Sequence, residues 1–149
     1  MSTIIINGSH HNDGNTSHLI DILYPKIPLI NLMDYKIDLY NYNQAYDSDD
    51  QFSLIINKII QYDEIIFATP VYWYAMSSLM KIFFDRLTDL LTSENYLGYE
   101  LKNKKVQVIT TSNGNNLNEI FFEPIKATCD YLGMKFTNGK HYVNPISLI

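Results

Sequence analysis

Cysteine is nearly absent from this sequence, in which Cys129 is the single one among 149 residues. One cysteine excludes an internal disulfide bond and a four-cysteine zinc site, and we expect Cys129 to be a small, buried apolar residue. No apolar run approaches the roughly 20 residues that span a bilayer, and no basic leader precedes the first apolar segment. We therefore predict a cytoplasmic protein that is not bound to a membrane.

Positive charge is also scarce. The sequence has 11 lysines and arginines against 16 aspartates and glutamates, which gives a formal net charge of −5. This balance argues against a nucleic-acid partner, because binding to phosphates requires a basic surface. Hydrophobic residues make up 46% of the chain and charged residues 18%, which is typical of a globular protein. The length predicts a single domain over residues 1–149.

Apolar runs of strand length alternate with segments of helical periodicity, and this pattern predicts a parallel sheet built from βαβ units. The predicted strands are 3–6, 29–33, 65–68, 106–111 and 134–143, and the predicted helices are 16–24, 52–60, 76–91 and 118–132. The last helix contains Pro124, which predicts a start or a kink there. On the helix 76–91, Lys81 and Asp85 lie four residues apart, and we expect a surface ion pair with Arg86 beside it.

The segment 34–50, "DYKIDLYNYNQAYDSDD", mixes tyrosines with acids and amides and has no clear period. We call it the excursion and expect it to run over the surface between the second strand and the helix 52–60. Long loops in compact domains are often functional, although a purely decorative loop is equally compatible with this sequence. Its aspartates Asp47, Asp49 and Asp50 could bind a cation, but capping of the helix at Phe52 is the favoured interpretation.

Three polar loops each follow the carboxyl end of a predicted strand. We call residues 8–17 the first loop, residues 70–77 the second loop and residues 111–116 the third loop. In an open doubly wound sheet the carboxyl ends of the strands are the edge at which ligands bind. We therefore expect the three loops to converge on one site.

The first loop suits a phosphate, because it leads into a helix whose exposed N–H groups and dipole favour an anion. Gly8 and Gly14 allow a close approach of the backbone, and hydrogen-bond donors are available from Ser9, Asn15, Thr16 and Ser17. The spacing matches neither a Walker loop nor the GxGxxG dinucleotide fingerprint. Helix capping by Asn15 or Thr16 is the alternative interpretation of the same residues.

The second loop, "TPVYWYAMSS", suits a planar ligand. Pro70 is followed by Tyr72, Trp73 and Tyr74, and three successive aromatic side chains cannot all face one core. Packing in the core remains the alternative for some of them. The third loop, "TTSNGNN", offers hydroxyls, amides and a flexible backbone. A phosphate and an aromatic ring system together describe flavin mononucleotide, FMN.

Two stretches resemble the NAD(P)H-dependent FMN reductase group of the flavodoxin-like superfamily. They are "NGSHHNDGNTSHL", which is similar to the group's first loop, and "TPVYWYAMSSLMKIFFDRLTDLL", which is similar to its second signature. The resemblance covers roughly residues 3–143. It implies an α/β fold with a doubly wound, five-stranded parallel sheet of order 2-1-3-4-5, here with the usual last helix missing. It also implies FMN as the cofactor and NAD(P)H as the co-substrate.

By the same resemblance, the site residues fall into three groups. The FMN phosphate would be held by Ser9, Asn15, Thr16 and Ser17, with His11 standing where many relatives carry arginine or lysine. The isoalloxazine ring would be lined by Pro70, Val71, Tyr72, Trp73 and Tyr74, and its pocket completed by Thr111, Ser112, Asn113 and Gly114. No acid or base side chain is expected to be indispensable, because the flavin carries the chemistry. We expect no metal site, since the adjacent His10 and His11 cannot easily bind one ion together.

The function that this resemblance implies is hydride transfer from NAD(P)H through the flavin N5 to a small acceptor. A quinone, a free flavin, a nitro or azo compound or a metal ion would all fit. Two other functions stay open: a flavodoxin-like single-electron carrier, whose acidic excursion would dock on a basic partner, and a flavin-binding module that senses redox state.

We also expect a homodimer. The first helix is short and the last is missing, so one sheet face would present apolar strand residues to water, which is unfavourable. The tail 144–149, with Ile146, Leu148 and Ile149, would cover part of that face or reach into a neighbour.

Overall fold

The computed structural model of the protein describes residues 1–145, so the tail residues 146–149 lie outside the described residues. The fold is a five-stranded parallel sheet of order β2-β1-β3-β4-β5 with helices on both faces, which confirms the predicted fold class. The strands are β1 (Thr3–Asn7), β2 (Leu29–Asn31), β3 (Glu64–Pro70), β4 (Lys105–Ser112) and β5 (Lys135–Val143). The α-helices are α1 (Asn15–Leu23), α2 (Phe52–Ile59), α3 (Ser78–Arg86), α4 (Asn95–Tyr99) and α5 (Glu123–Leu132).

The central strands are apolar because the sheet is covered on both faces. On one face, α2, α3 and α5 pack their apolar side chains against the sheet around Phe52, Phe83 and Ile125. On the other face, α1 contributes Leu19 and Ile20 to a smaller apolar cluster. The register pairs Asn7 with Ala68 and Pro70 with Thr111, so β1, β3 and β4 end at the same edge of the sheet.

Three helical segments depart from the predicted bounds. The predicted helix 76–91 is α3 followed by a 3-10 helix, Leu87–Leu91, and the short α4 was not predicted at all. The backbone of α4 lies so close to the Leu90 carbonyl that only a glycine, Gly98, fits there. Pro124 lies in the first turn of α5, where the missing N–H is not needed, and a 3-10 helix, Glu119–Phe122, precedes it. The predicted start at Pro124 is therefore correct.

The expectation of a bare apolar face beside α1 holds only at β2, where Leu29 is 41% exposed. On β4 and β5 the strand positions that α1 does not cover on this face are polar, with Lys105 and Gln107 on β4 and Asn138 and Lys140 on β5. Gln107 donates a hydrogen bond of 2.8 Å to Glu64 on the neighbouring strand. The alternation of side chains along these strands thus places apolar residues on the covered face and polar residues toward water.

A buried arginine anchors the excursion to α3. Arg86 is 2% exposed, and it donates hydrogen bonds of 2.7 and 2.9 Å to Asp50 and of 2.8 Å to Asp89. Its guanidinium lies 3.4 Å above the centre of the Tyr46 ring. The expectation that Arg86 belongs to the surface beside Lys81 is therefore wrong, because the excursion supplies its anionic and aromatic partners. The Lys81–Asp85 pair itself is exposed, as predicted.

The three aspartates considered above as cation ligands form ion pairs with cationic side chains of the chain. Asp47 and Asp49 pair with Lys36, and Asp50 pairs with Arg86. Burial alone would raise the pKa of Asp50, but the hydrogen bonds from Arg86 outweigh it and hold that pKa below its usual value. Asp50 also accepts a hydrogen bond of 3.3 Å from the Phe52 backbone N–H, but the N-cap residue of α2 is Gln51, whose side chain makes no cap hydrogen bond. The favoured capping interpretation is therefore correct only for this one contact.

Other expectations concern single residues and membranes. Cys129 is fully buried, and burial raises the pKa of its thiol to about 12, which fits a small apolar residue.

Within residues 1–145, no helix is long and apolar enough to cross a membrane. The same residues contain no group of three histidine, cysteine or acidic side chains placed to hold a metal ion.

Candidate functional site

The three loops meet at the carboxyl edge of the sheet and enclose two adjoining cavities. One cavity has a volume of about 290 Å³, and the other, of about 260 Å³, shares Val71 and Ser112 with it. The first is lined by Ser9, His11, Gly14, Asn15, Thr16, Pro70, Val71, Tyr72, Thr111, Ser112, Asn113 and Asn144. The second is lined by Val71, Trp73, Tyr74, Ser112, Gly114, Asn116 and Leu117. We call them the phosphate-side cavity and the ring-side cavity.

Every predicted site residue except Ser17 lines one of these two cavities. Ser17 lies behind the first loop, where its hydroxyl donates to the His11 carbonyl at 3.2 Å and accepts from the Asn7 amide at 3.2 Å. It therefore holds the shape of the loop rather than forming the cavity wall. Whether the lining residues bind FMN stays a prediction.

The first turn of α1 is open toward the phosphate-side cavity. The N-cap residue is Gly14, and no side chain caps the helix, so neither Asn15 nor Thr16 plays the capping role considered above. The Thr16 hydroxyl is buried and lies 3.3 Å from that of Thr111. Uncapped N–H groups and buried hydroxyls together form a site for an anion.

Two residues that the sequence interpretation missed hold the first loop. Asn7 is fully buried at the end of β1, and its amide oxygen accepts from the Ser9 backbone N–H at 3.0 Å. Ser77 donates to the Gly8 carbonyl at 2.6 Å and accepts from the Met80 N–H at 3.1 Å, which also caps α3. The signal for Ser77 was present, since serine directly before an apolar periodic segment is typical of an N-cap.

The second loop ends in a tight hairpin whose tip is Trp73 and Tyr74. Tyr72 and Ala75 exchange both backbone hydrogen bonds, at 2.9 and 3.1 Å, and the two tip residues have φ values of 50° and 66°. Positive φ at both central residues is the geometry of a type I′ turn, which favours asparagine and glycine. Trp73 is 93% exposed and Tyr74 is 67% exposed, so core packing is excluded for both. Backbone strain at exposed aromatic residues is typical of a functional site.

The third loop closes the site from the β4 side. Its Thr111 carbonyl accepts from the Val71 N–H at 3.1 Å, which joins the second and third loops. The Ser112 hydroxyl lies 2.6 Å from His141 Nε2 on β5. Asn144, just after β5, contributes a buried side-chain oxygen, Oδ1, that has no hydrogen-bond partner among residues 1–145. The sequence interpretation missed His141 and Asn144, because their strand is adjacent only in the folded sheet.

The electrostatic environment of the two cavities comes from dipoles rather than from charged side chains. In the part of the chain that the structure describes, no lysine or arginine lines either cavity, and His11 is the one histidine at the phosphate-side wall. An FMN phosphate fits the open helix turn, and the unpartnered Asn144 oxygen fits a hydroxyl or N–H of a ligand. The exposed aromatic tip fits the edge of a planar ring. The residues present therefore suit FMN.

Comparisons with known proteins agree with this geometry. The model of the family described as NADPH-dependent FMN reductase matches residues 1–143. The Bacillus subtilis (strain 168) protein YwqN, named as an NAD(P)H-dependent FMN-containing oxidoreductase, is 28% identical over 127 residues, which cover 77% of this chain and 68% of that protein.

Solved structures show the same fold at lower identity. The Trp repressor binding protein of Bacillus subtilis superposes with a TM-score of 0.76 at 23% identity, covering 96% of this chain and 84% of its own. The flavoenzyme NAD(P)H:(acceptor) oxidoreductase FerB of Paracoccus denitrificans superposes with a TM-score of 0.72 at 20% identity, covering 91% of this chain and 74% of its own.

Proposed function

Because the chain belongs to the NADPH-dependent FMN reductase family, we propose that it passes electrons from NAD(P)H through FMN to a small, planar aromatic acceptor. The activity class, an NAD(P)H-dependent oxidoreductase that uses FMN, follows from the family. The acceptor class and the residue roles below are our proposal. The observation that carries it is the strained, exposed aromatic tip of the second loop beside the two cavities.

The first loop binds the phosphate end of FMN. Backbone N–H groups of the uncapped α1 turn and the Ser9 and Thr16 hydroxyls donate to the phosphate oxygens. These neutral donors and the helix dipole balance most of the phosphate charge, and His11 at the rim supplies a further donor. Asn7, Ser17 and Ser77 keep the loop in this shape through the hydrogen bonds described above.

The second and third loops orient the ring end. Bound FMN supplies hydride acceptance at N5 and electron transfer to the acceptor. Val71 and Ser112 form the wall common to both cavities, so they separate the ribityl and phosphate region from the ring region. The Trp73 and Tyr74 rings stand at the open side, where they stack with a planar co-substrate and keep water away from one face of it.

This arrangement favours aromatic acceptors such as quinones, free flavins and nitro or azo compounds over metal ions. The exposed rings of Trp73 and Tyr74 offer stacking surfaces to a planar compound. The experiment compares NAD(P)H consumption by the FMN-loaded protein with a quinone, free FMN, an azo dye and a ferric chelate. We expect faster turnover with the planar compounds, and a ferric chelate that is the best acceptor would contradict the proposal.

A single-electron carrier and a redox sensor are the alternative functions. In the acidic excursion that motivated a carrier, Asp47 and Asp49 pair with Lys36 and Asp50 pairs with Arg86, so part of its negative charge is neutralised within the chain. The family membership also favours an enzyme. Rapid reduction of the bound flavin by NAD(P)H distinguishes the enzyme from both alternatives.

The remaining parts of the proposal concern the whole protein. We propose one FMN-binding domain over residues 1–149 that works as a homodimer in the cytoplasm, where NAD(P)H is available. The dimer is supported by a groove between the 3-10 helix Leu87–Leu91, α4 and α5, in which Leu91 and Tyr131 are exposed. Two cavities of about 300 and 310 Å³ in this groove share Leu91, Tyr131 and Leu132.

A further inference from the structure

The last strand, β5, holds the third loop through two side chains. His141 Nε2 lies 2.6 Å from the Ser112 hydroxyl, and the Asn144 amide lies 3.3 Å from the Asn113 side-chain oxygen. The Asn144 backbone N–H also donates to the Ser112 carbonyl at 2.8 Å. Two consecutive residues of the third loop, Ser112 and Asn113, are therefore held by His141 on β5 and by Asn144 directly after it.

The second hydrogen bond of the Ser112 hydroxyl indicates which atom is the donor in its contact with His141. This hydroxyl donates to the Gly114 carbonyl at 3.1 Å, and it has only one hydrogen to give. The assignment that satisfies both contacts at once has the Ser112 oxygen accepting from His141, with the imidazole hydrogen on Nε2. Burial lowers the pKa of His141, which favours the neutral ring.

Ser112 is also one of the two residues that border both cavities of the site. It lines both the phosphate-side and the ring-side cavity, a position that it shares only with Val71. The Ser112–Gly114 hydrogen bond folds the loop back on itself, and Gly114 lines the ring-side cavity. The hydrogen bonds from His141 through Ser112 to Gly114 thus hold the part of the third loop that lines the ring-side cavity.

We propose that His141 is a positioning residue of the flavin site, which holds the third loop in its ligand-binding shape by donating from Nε2 to the Ser112 hydroxyl. This inference rests on the proposed function. It assigns His141 no contact with FMN, and its effect reaches the ring only through Ser112 and Gly114. Its consequence is that the loss of one hydrogen bond outside the cavities weakens FMN binding without unfolding the protein.

The test measures FMN dissociation constants and the visible circular dichroism of bound FMN for four variants. His141→Phe keeps a ring but removes the donor, His141→Gln keeps an N–H near the position of Nε2, and Ser112→Ala removes the acceptor. His18→Phe, at an exposed position of α1 outside both cavities, is the matched control. We expect His141→Phe to weaken FMN binding by about 3- to 10-fold, with a changed dichroism spectrum. We expect His141→Gln to restore most of the affinity.

Two further measurements separate positioning from a general loss of structure. In a double-mutant cycle, adding His141→Phe to Ser112→Ala should cause no further loss of affinity, because both changes break the same chain of hydrogen bonds. Nitrogen NMR of the flavin-free parent should find His141 as the neutral Nε2–H tautomer. Thermal melts of the flavin-free variants should differ little from that of the parent.

Several results would overturn the inference while the proposed function stands. These are a His141→Phe variant that binds FMN as the parent does, fully additive effects in the cycle, or the Nδ1–H tautomer in the parent. A large drop in melting temperature for both His141→Phe and His141→Gln would instead assign His141 a purely structural role. A parent protein with no affinity for FMN would overturn both this inference and the proposed function.

Discussion

Thr16 is the residue at which the phosphate assignment can be tested with least disturbance. Its buried hydroxyl faces the phosphate-side cavity, and Thr16→Val removes the hydroxyl while keeping the shape of the side chain. A hydrogen bond to a charged group contributes roughly 1.5–3 kcal/mol, so we expect FMN binding to weaken by about 10- to 100-fold. Thr128→Val on α5 loses a similar hydroxyl far from the loops and is the control. Equal dissociation constants for Thr16→Val and the parent would remove the first loop from the proposed site.

Trp73 is a residue at which stability and activity should respond in opposite directions. A non-glycine residue with positive φ stores about 1–3 kcal/mol of strain, and the exposed Trp73 ring contributes little packing in return. We expect Trp73→Gly to be more stable than Trp73→Ala by about 1 kcal/mol, because glycine relieves the strain.

Both Trp73 variants should reduce turnover with planar acceptors, since both lose the ring. Urea unfolding of the flavin-free protein and steady-state kinetics measure the two effects. If Trp73→Ala instead cost several kcal/mol of stability, the ring would have a packing role that its exposure does not reveal.

At the residue scale, the sequence predicts which side chains lie at the site better than it predicts which residues they contact. Ser9, Thr16 and Trp73 could be assigned to one edge because each follows a strand that is recognisable from its own residues. The partners that hold the loops are Asn7, Ser77, His141 and Asn144. Asn7 acts locally on Ser9, but Ser77, His141 and Asn144 contact residues that are far from them in the chain. No local pattern specifies which hydroxyl an imidazole on another strand will meet.

At the scale of elements, the excursion depends on Arg86. Removing one partner of a buried ion pair leaves an unpaired charge, which costs about 3–5 kcal/mol. We expect Arg86→Leu to lower the free energy of unfolding by about this amount, because Asp50 and Asp89 would stay buried without a cation.

Lys81→Ala, on the same helix, removes an exposed ion pair and should cost less than about 1 kcal/mol. Denaturant unfolding of both variants gives the comparison. If Arg86→Leu and Lys81→Ala lowered the free energy of unfolding by similar amounts, the result would contradict the anchoring role of Arg86.

The helices illustrate why element bounds are harder to predict than element types. Apolar spacing continues without interruption from α3 into the 3-10 helix Leu87–Leu91, so periodicity alone predicts one helix there. The change in geometry occurs just after Arg86, whose partners come from the excursion. The excursion has no helical or strand periodicity from which its contacts could be predicted. Its anchoring by Arg86 was therefore not predictable from the sequence. The helix start at Pro124, in contrast, was predicted correctly, because proline is favoured in the first turn of a helix.

At the scale of the molecule, the groove between the 3-10 helix Leu87–Leu91, α4 and α5 is where we expect a second copy to bind. Leu91 and Tyr131 are exposed there, and exposed apolar surface of this kind is typical of interaction sites. We expect sedimentation at micromolar concentration to find a dimer. Tyr131→Lys should shift it toward monomer, while Leu39→Lys, at an exposed site in the excursion, should leave it unchanged. A parent that sediments only as a monomer would contradict the dimer.

The central claim is that this chain binds FMN at the three loops and reduces it directly with NAD(P)H. The measurement is anaerobic mixing of the FMN-loaded protein with NADPH or NADH while the visible absorbance of the flavin is recorded. We predict that the bound flavin bleaches rapidly with at least one of the two nucleotides and that the released cofactor is FMN. A protein that binds no flavin, releases FAD, or keeps its bound FMN oxidised in the presence of both nucleotides would contradict the account.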